Sequence, residues 1–280
     1  MSISVLDLFK IGVGPSSSHT VGPMRAAHDF VVELQQRTAL GAVRRIEVKL
    51  YGSLSATGVG HATDRAVIAG LMGARPDDVD PDFLVAAVDA VRIDGELPLP
   101  GGVVVPFDWA RDMRLLPVSL PYHPNAMRLI AHGDDAVLYE NTYYSVGGGF
   151  VIDEAQAQSG ESAETLVEVP YPFDDGVQLL EQCRRHGLRI SELMLANESA
   201  WRSEDETRAA LKRIWDVMRA CVDRGVGHEG ILPGGLNVRR RAPALYRKLS
   251  EHSAGRDRKS VVEGKSVDLG GRRSIKKKIG

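Results

Sequence analysis

Arg45-Ile46-Glu47-Val48-Lys49-Leu50-Tyr51 runs straight into Gly52-Ser53-Leu54-Ser55-Ala56-Thr57-Gly58-Val59-Gly60-His61-Ala62-Thr63-Asp64. In the first half, Ile46, Val48 and Leu50 alternate strictly with Arg45, Glu47 and Lys49. Successive side chains of a strand point to opposite faces, so this pattern predicts a half-buried strand. The second half predicts a small-residue helix over Leu54–Leu71. A strand feeding a helix through glycine is the context of a phosphate-binding loop, but Gly58 is followed by Val59-Gly60 rather than Lys-Ser/Thr. The glycine spacing does not suit a dinucleotide-binding turn either. On one continuous helix Thr57, His61 and Asp64 fall at i, i+4 and i+7, on one face. Asp64 would then orient the His61 ring and raise its basicity. The plainer alternative is a structural histidine.

Upstream, Pro23 stands at the first turn of a helix in which Met24, Ala27, Phe30, Val31 and Leu34 recur at helical spacing. Just before it lie Ser16, Ser17, Ser18, His19 and Thr20. A helix start offers unpaired N–H groups and a partial positive charge, and added hydroxyls suit it to a carboxylate or phosphate. Capping alone needs one hydroxyl. Downstream, Phe83–Ile93 predicts another helix. Ala126–Ile152 predicts two antiparallel strands turning at Gly133-Asp134-Asp135. Tyr122-His123-Pro124-Asn125-Ala126-Met127 is a turn ahead of the first of them. Gly147, Gly148 and Gly149 interrupt the strand pattern, which calls for a bulge or an anion-binding backbone nest.

The 280 residues suggest about two domains. Residues 153–164 are polar, acidic and free of aromatics, as in an exposed connection. Beyond them the pattern turns helical. Val177, Leu180 and Cys183 share one helix face, and Leu211, Ile214, Trp215, Met218, Cys221 and Val222 form an apolar stripe on another, with Gly225 and Gly227 as stop signals. The expected fold class is therefore an α+β N-terminal domain, over 1–170, followed by an incomplete all-α domain, over 171–255. A basic tail over 256–280 completes the chain. That tail holds nine basic and three acidic residues. Against a chain total of −2, residues 1–255 are thus net −8. An acidic body with 6% aromatic residues argues against a nucleic-acid partner.

Two cysteines exclude a disulfide-dense scaffold. No signal peptide is recognisable at Met1–Phe9, and no apolar run approaches the ~18 residues of a membrane span. A cytoplasmic location and no membrane partner are expected. Cys183 and Cys221 stand 38 positions apart, without the spacing of a metal site, and His228-Glu229 lacks a second histidine. No metal ligands are predicted.

The ordered set Ser16–Thr20, Gly52–Asp64, His123–Met127 and Tyr143–Phe150, continued by Ser191–Glu198 and Glu229–Leu236, resembles bacterial iron–sulfur-dependent L-serine dehydratase. The resemblance covers about residues 2–255. It implies a beta-type substrate-binding domain and an alpha-type helical domain carrying a 4Fe–4S cluster. It also implies conversion of L-serine to pyruvate and ammonia, and a homodimer in the complete enzyme. Ser16, Ser17, Ser18 and Thr20 would hold the substrate carboxylate. Ser53, Thr63, Asn125, Ser145 and Gly147–Gly149 would add polar contacts. His61, oriented by Asp64, would take the α-proton, with His19 as the alternative base.

In that family the cluster-ligating cysteines lie further along the helical domain. The expectation for this chain is no bound cluster and little or no dehydratase activity, with the tail a non-native extension. The Leu211–Val222 stripe is then expected to lack cover. A competing reading is a non-catalytic module for a small carboxylate or anion, resembling the allosteric substrate-binding domain of some phosphoglycerate dehydrogenases. A third is a protein completed by another subunit.

Overall fold

The computed structural model describes residues 3–38, 40–58, 60–159, 167–232 and 237–253. The expected basic tail lies outside them, as do residues 233–236 of the last motif. Two compact units are present, one reaching to Arg219 and one beginning at Ala220. The elements are, in chain order, α1 (Val5–Leu8), α2 (Gly22–Arg37), β1 (Arg45–Tyr51), α3 (Gly52–Thr57), α4 (Thr63–Leu71), α5 (Pro81–Asp94), β2 (Glu96–Leu99) and β3 (Val103–Pro106). Then come α6 (Trp109–Asp112), β4 (Met113–Leu116), β5 (Ala126–His132), β6 (Val137–Gly147), β7 (Phe150–Asp153) and α7 (Glu154–Ser159). The helices α8 (Gly176–His186), α9 (Ile190–Glu198), α10 (Glu204–Gly227) and α11 (Ala242–Ser253) follow. The architecture is an N-terminal α/β region with a mixed sheet and a helical C-terminal region.

The five-stranded sheet has the order β4-β1-β5-β6-β7. β4 runs parallel to β1 and the remaining pairs are antiparallel. Its register follows from the alternation in β1. Ile46, Val48 and Leu50 lie on the face that also carries Met113, Leu129 and Met127, in one core with Met24, Phe30 and Leu34 of α2. Tyr51, Ala126 and Tyr144 form a small second cluster. α2 and α4 cross closely because Gly70 faces α2: a Cβ there would overlap the Met24 carbonyl oxygen and sit 2.7 Å from Ala27 Cβ. The β2–β3 hairpin, which no alternation announces, adds Leu97, Leu99 and Val105 to the core.

Four expectations change. The helix foreseen over Leu54–Leu71 is two helices, broken where Ala62 adopts left-handed backbone (φ 55°). The two strands foreseen over Ala126–Ile152 are three. Gly148 and Gly149, both at positive φ, make a tight turn between β6 and β7, while the register shift between Ser145 and Gly147 is the foreseen bulge. Part of the foreseen acidic connection is α7. On α8 only Cys183 of the expected face is buried, with Val177 and Leu180 exposed. The stripe on α10 is largely solvent-facing, with Trp215 at 61% and Val222 at 63% exposure.

Candidate active site

Ser16 starts the site. Its hydroxyl accepts from the His19 N–H (3.2 Å), and the chain makes one wide turn over Ser17–Val21 before α2 begins. The N–H groups of Thr20 and Val21 both reach the Ser16 carbonyl. Those of Ser17 and Ser18 find no acceptor among the described residues, and the Ser17 side chain is exposed. This leaves two N–H donors and free hydroxyl capacity at the head of a helix, where negative charge is favoured.

His19 is held at both ring nitrogens. Ser18 Oγ lies 2.9 Å from Nδ1 and Ser53 Oγ 2.9 Å from Nε2. Ser53 follows Gly52, the pivot at which β1 turns into α3. Its N–H donates to the Pro124 carbonyl (3.0 Å), which brings the His123–Asn125 turn to the site. Two threonines then clamp the histidine segments together. Thr20 Oγ1 donates to the His61 carbonyl (2.9 Å) and Thr63 Oγ1 to the His19 carbonyl (2.6 Å). Thr20 and Thr63 are buried, and their hydroxyl protons are committed to these two carbonyls.

The His19 and His61 rings stand 5.0 Å apart. His61 Nδ1 contacts the Thr57 carbonyl at 3.0 Å. A carbonyl only accepts, so Nδ1 carries the proton and Nε2 of the neutral ring keeps its lone pair. The expected pairing of His61 with Asp64 is not made. The break at Ala62 places Asp64 in the first turn of α4, where it accepts from the Arg65 N–H (2.9 Å) and pairs with Arg92 (3.4 Å). Burial holds the Asp64 carboxyl above its ordinary range, opposed by those partners.

Burial also pushes the His19 imidazole below its usual value, the His61 ring adds to this, and hydrogen bonding to the Ser53 backbone works against it. His19 is therefore neutral at pH 7. Its folded form binds a proton less readily than the unfolded form. It thus contributes stability present above about pH 6.5 and lost as pH falls through the folded value. In a histidine ring-proton titration by NMR, the His19 midpoint should fall below 6.5, and His61→Ala should move it upward. A midpoint at or above 6.5 would contradict this reading.

The remaining candidates are less central. Asn125 Nδ2 donates to the Ser145 carbonyl (3.2 Å), and the Ser145 N–H returns to the Asn125 carbonyl (2.9 Å). Ser145 Oγ is buried against Gly22 and has no hydrogen-bond partner among the described residues. Gly149 packs on Val21, and Gly148 and Gly149 form the turn that follows Gly147 at the end of β6. Two features carry no legible physical signal in the sequence, the first at the site and the second away from it. The Thr57 carbonyl carries no side-chain signal. Glu198, at the end of the Ser191–Glu198 motif, accepts from Ser4 Oγ (2.8 Å), the Val5 N–H (2.6 Å) and Arg202.

A 4Fe–4S cluster takes three or four thiolates. The chain has two cysteines, Cys183 buried on α8 and Cys221 exposed on α10. No group of three metal-ligating side chains occurs among the described residues. These residues do not fit the cluster, and no step is assigned through it.

The model of the serine dehydratase beta chain family matches residues 4–156, and that of the serine dehydratase alpha chain family matches residues 185–268. The second match runs past 255, where the resemblance was expected to stop. Similar curated proteins include an L-serine dehydratase of Streptomyces coelicolor (51% identity over 251 residues), L-serine dehydratase 2 of Escherichia coli (46% over 265) and an L-serine dehydratase of Haemophilus influenzae (42% over 253). These alignments cover 89%, 93% and 90% of this chain but only 55%, 57% and 55% of the relatives. The chain thus spans little more than half the length of the curated proteins it matches. With its beta-chain model covering 4–156, more than half of the sequence, the chain belongs to the serine dehydratase family.

Proposed function

We propose that the chain is part of an L-serine ammonia-lyase and that its N-terminal region, about 1–170, binds L-serine. The observation that carries this is the His19–His61 pair set against the Ser16–Ser18 turn, in a chain whose relatives are named L-serine dehydratases. The substrate carboxylate sits on the free N–H groups of Ser17 and Ser18 and the nearby hydroxyls. His61 Nε2 takes the α-proton. His19, pinned between two serines, stands against that ring and positions it. Loss of the α-proton and the β-hydroxyl yields aminoacrylate and water. Its imine tautomer takes up water to give pyruvate and ammonia. The helical stretch 171–255 is the start of the alpha-type domain. A cytoplasmic location and a homodimer in the complete enzyme belong to the same reading. No described helix is long and apolar enough to cross a membrane.

The two-cysteine donor set favours one second reading, that this chain alone binds its carboxylate ligand without turning it over. Calorimetric titration with L-serine, paired with a pyruvate assay after anaerobic treatment with iron and sulfide, separates the two. L-serine is expected to bind with a dissociation constant of about 1 mM or tighter, and ethanolamine, which lacks the carboxylate, is not. Pyruvate formation that His61→Ala eliminates supports catalysis by this chain. Binding without pyruvate supports the non-catalytic reading. Absence of L-serine binding overturns both.

A further inference from the structure

A second concave site lies in the same compact unit. An open cleft of about 350 Å³ is bounded by residues 6–11, by α2, by the turn at 75–77 and by α10. That volume is in the range of small-molecule sites. Its rim carries Lys10, Arg25, Arg75 and Arg213 against the carboxylates of Asp29 and Asp77. The pairing leaves positive charge in surplus. Arg75 (3.3 Å) and Arg213 (3.6 Å) converge on the single carboxylate of Asp77. Arg25 is exposed and makes no ion pair among the described residues. Asp29 faces His28, and Lys10 is satisfied by Asp7 (2.9 Å) from outside the lining. Between these charges the wall is apolar, from Phe9, Ile11 and Ile214.

The wall is anchored as well as lined. Just ahead of residues 6–11, Ser4 and Val5 are bonded to the buried Glu198 carboxylate. Guanidinium forks match the planar oxygens of carboxylates and phosphates. An apolar wall with clustered guanidiniums selects a molecule that has both an anionic head and an apolar body.

We propose that this cleft binds a small organic anion, a phosphate monoester or a carboxylate, with its head on Arg25, Arg75 and Arg213 and its body against Phe9 and Ile214. The proposal does not rest on the L-serine reading, since none of the histidine pair lines the cleft.

The test is calorimetry on the whole chain with four probes: phenyl phosphate, benzoate, inorganic phosphate and benzyl alcohol. At least one of the two organic anions should bind tenfold or more tightly than inorganic phosphate, and benzyl alcohol should not bind. The stronger of the two identifies the head group. The double variant Arg75→Gln/Arg213→Gln should lose at least tenfold in affinity, with its fold checked by circular dichroism and thermal melting. Should that variant not fold, Arg25→Gln, an exposed change, decides by a loss of threefold or more. Arg184→Gln on α8, outside the cleft, should lose nothing. Failure of both organic anions to bind overturns the proposal. So does equal binding of benzyl alcohol, or unchanged affinity in the cleft variants.

Discussion

Gly52→Ala is expected to destabilise the chain by about 3 kcal/mol and to abolish L-serine binding. Gly52 sits at φ +52°, where a side chain costs about 1–2 kcal/mol in local sterics. A Cβ there would also overlap the Pro124 carbonyl oxygen and lie 2.7 Å from Ser119 Oγ. Overpacking of that kind costs about 1–3 kcal/mol. The first neighbour is backbone, so relief requires the Pro124 segment itself to move. That movement reaches the site directly. The Gly52 N–H donates to the Val118 carbonyl and the Ser53 N–H to the Pro124 carbonyl, both at 3.0 Å. Ser53 Oγ in turn holds His19 Nε2. Urea unfolding gives the stability change and calorimetry the binding. A loss below 1 kcal/mol with unaltered L-serine affinity would show that the pivot is not constrained as described.

Gly52 also marks where the sequence stopped being legible. The alternation of Arg45–Tyr51 gave the strand, its faces and so the core, because period two is decisive when one face is buried. The apolar spacing from Met24 to Leu34 gave α2 in the same way. The serine turn was legible because three hydroxyls ahead of a helix exceed what capping needs. The break at Ala62 was not. Nothing local marks an alanine for left-handed backbone. The clamp made by Thr20 and Thr63 on the carbonyls of His61 and His19 joins segments more than forty residues apart. For the same reason Asp64 was paired in expectation with His61, whereas long-range packing of α4 on α5 gives it to Arg92. The β2–β3 hairpin is not announced locally either, since Pro98, Pro100 and two glycines are residues that also build loops.

The Ser191–Glu198 motif was recognisable as a pattern but its physics was not, and here a second large effect is expected. Glu198→Ala should cost about 3–4 kcal/mol. The carboxylate is 1% exposed and accepts from Ser4 Oγ, the Val5 N–H and Arg202. Removing one member of a buried pair costs about 3–5 kcal/mol, because the remaining charge and donors lose their partner. Arg202 keeps 26% of its side chain in solvent, which places the loss toward the lower end of that range. Glu198→Gln preserves shape and one acceptor oxygen but turns an amide donor toward other donors. It should lose roughly half as much. The loss should also be local. The carboxylate ties residues 4–5 to α9 and contributes nothing to the sheet. Amide exchange should therefore rise sharply over residues 5–11 while β1 and β5, in the core of the sheet, keep their protection. Uniform loss of protection would instead mean that α9 and the sheet unfold as one cooperative body. Unchanged exchange at residues 5–11 would mean that Glu198 holds nothing. Because those residues form one wall of the basic cleft, Glu198→Ala should weaken organic-anion binding while leaving the Ser53–His19 bond intact, and that difference separates the support of the cleft from the support of the histidine pair.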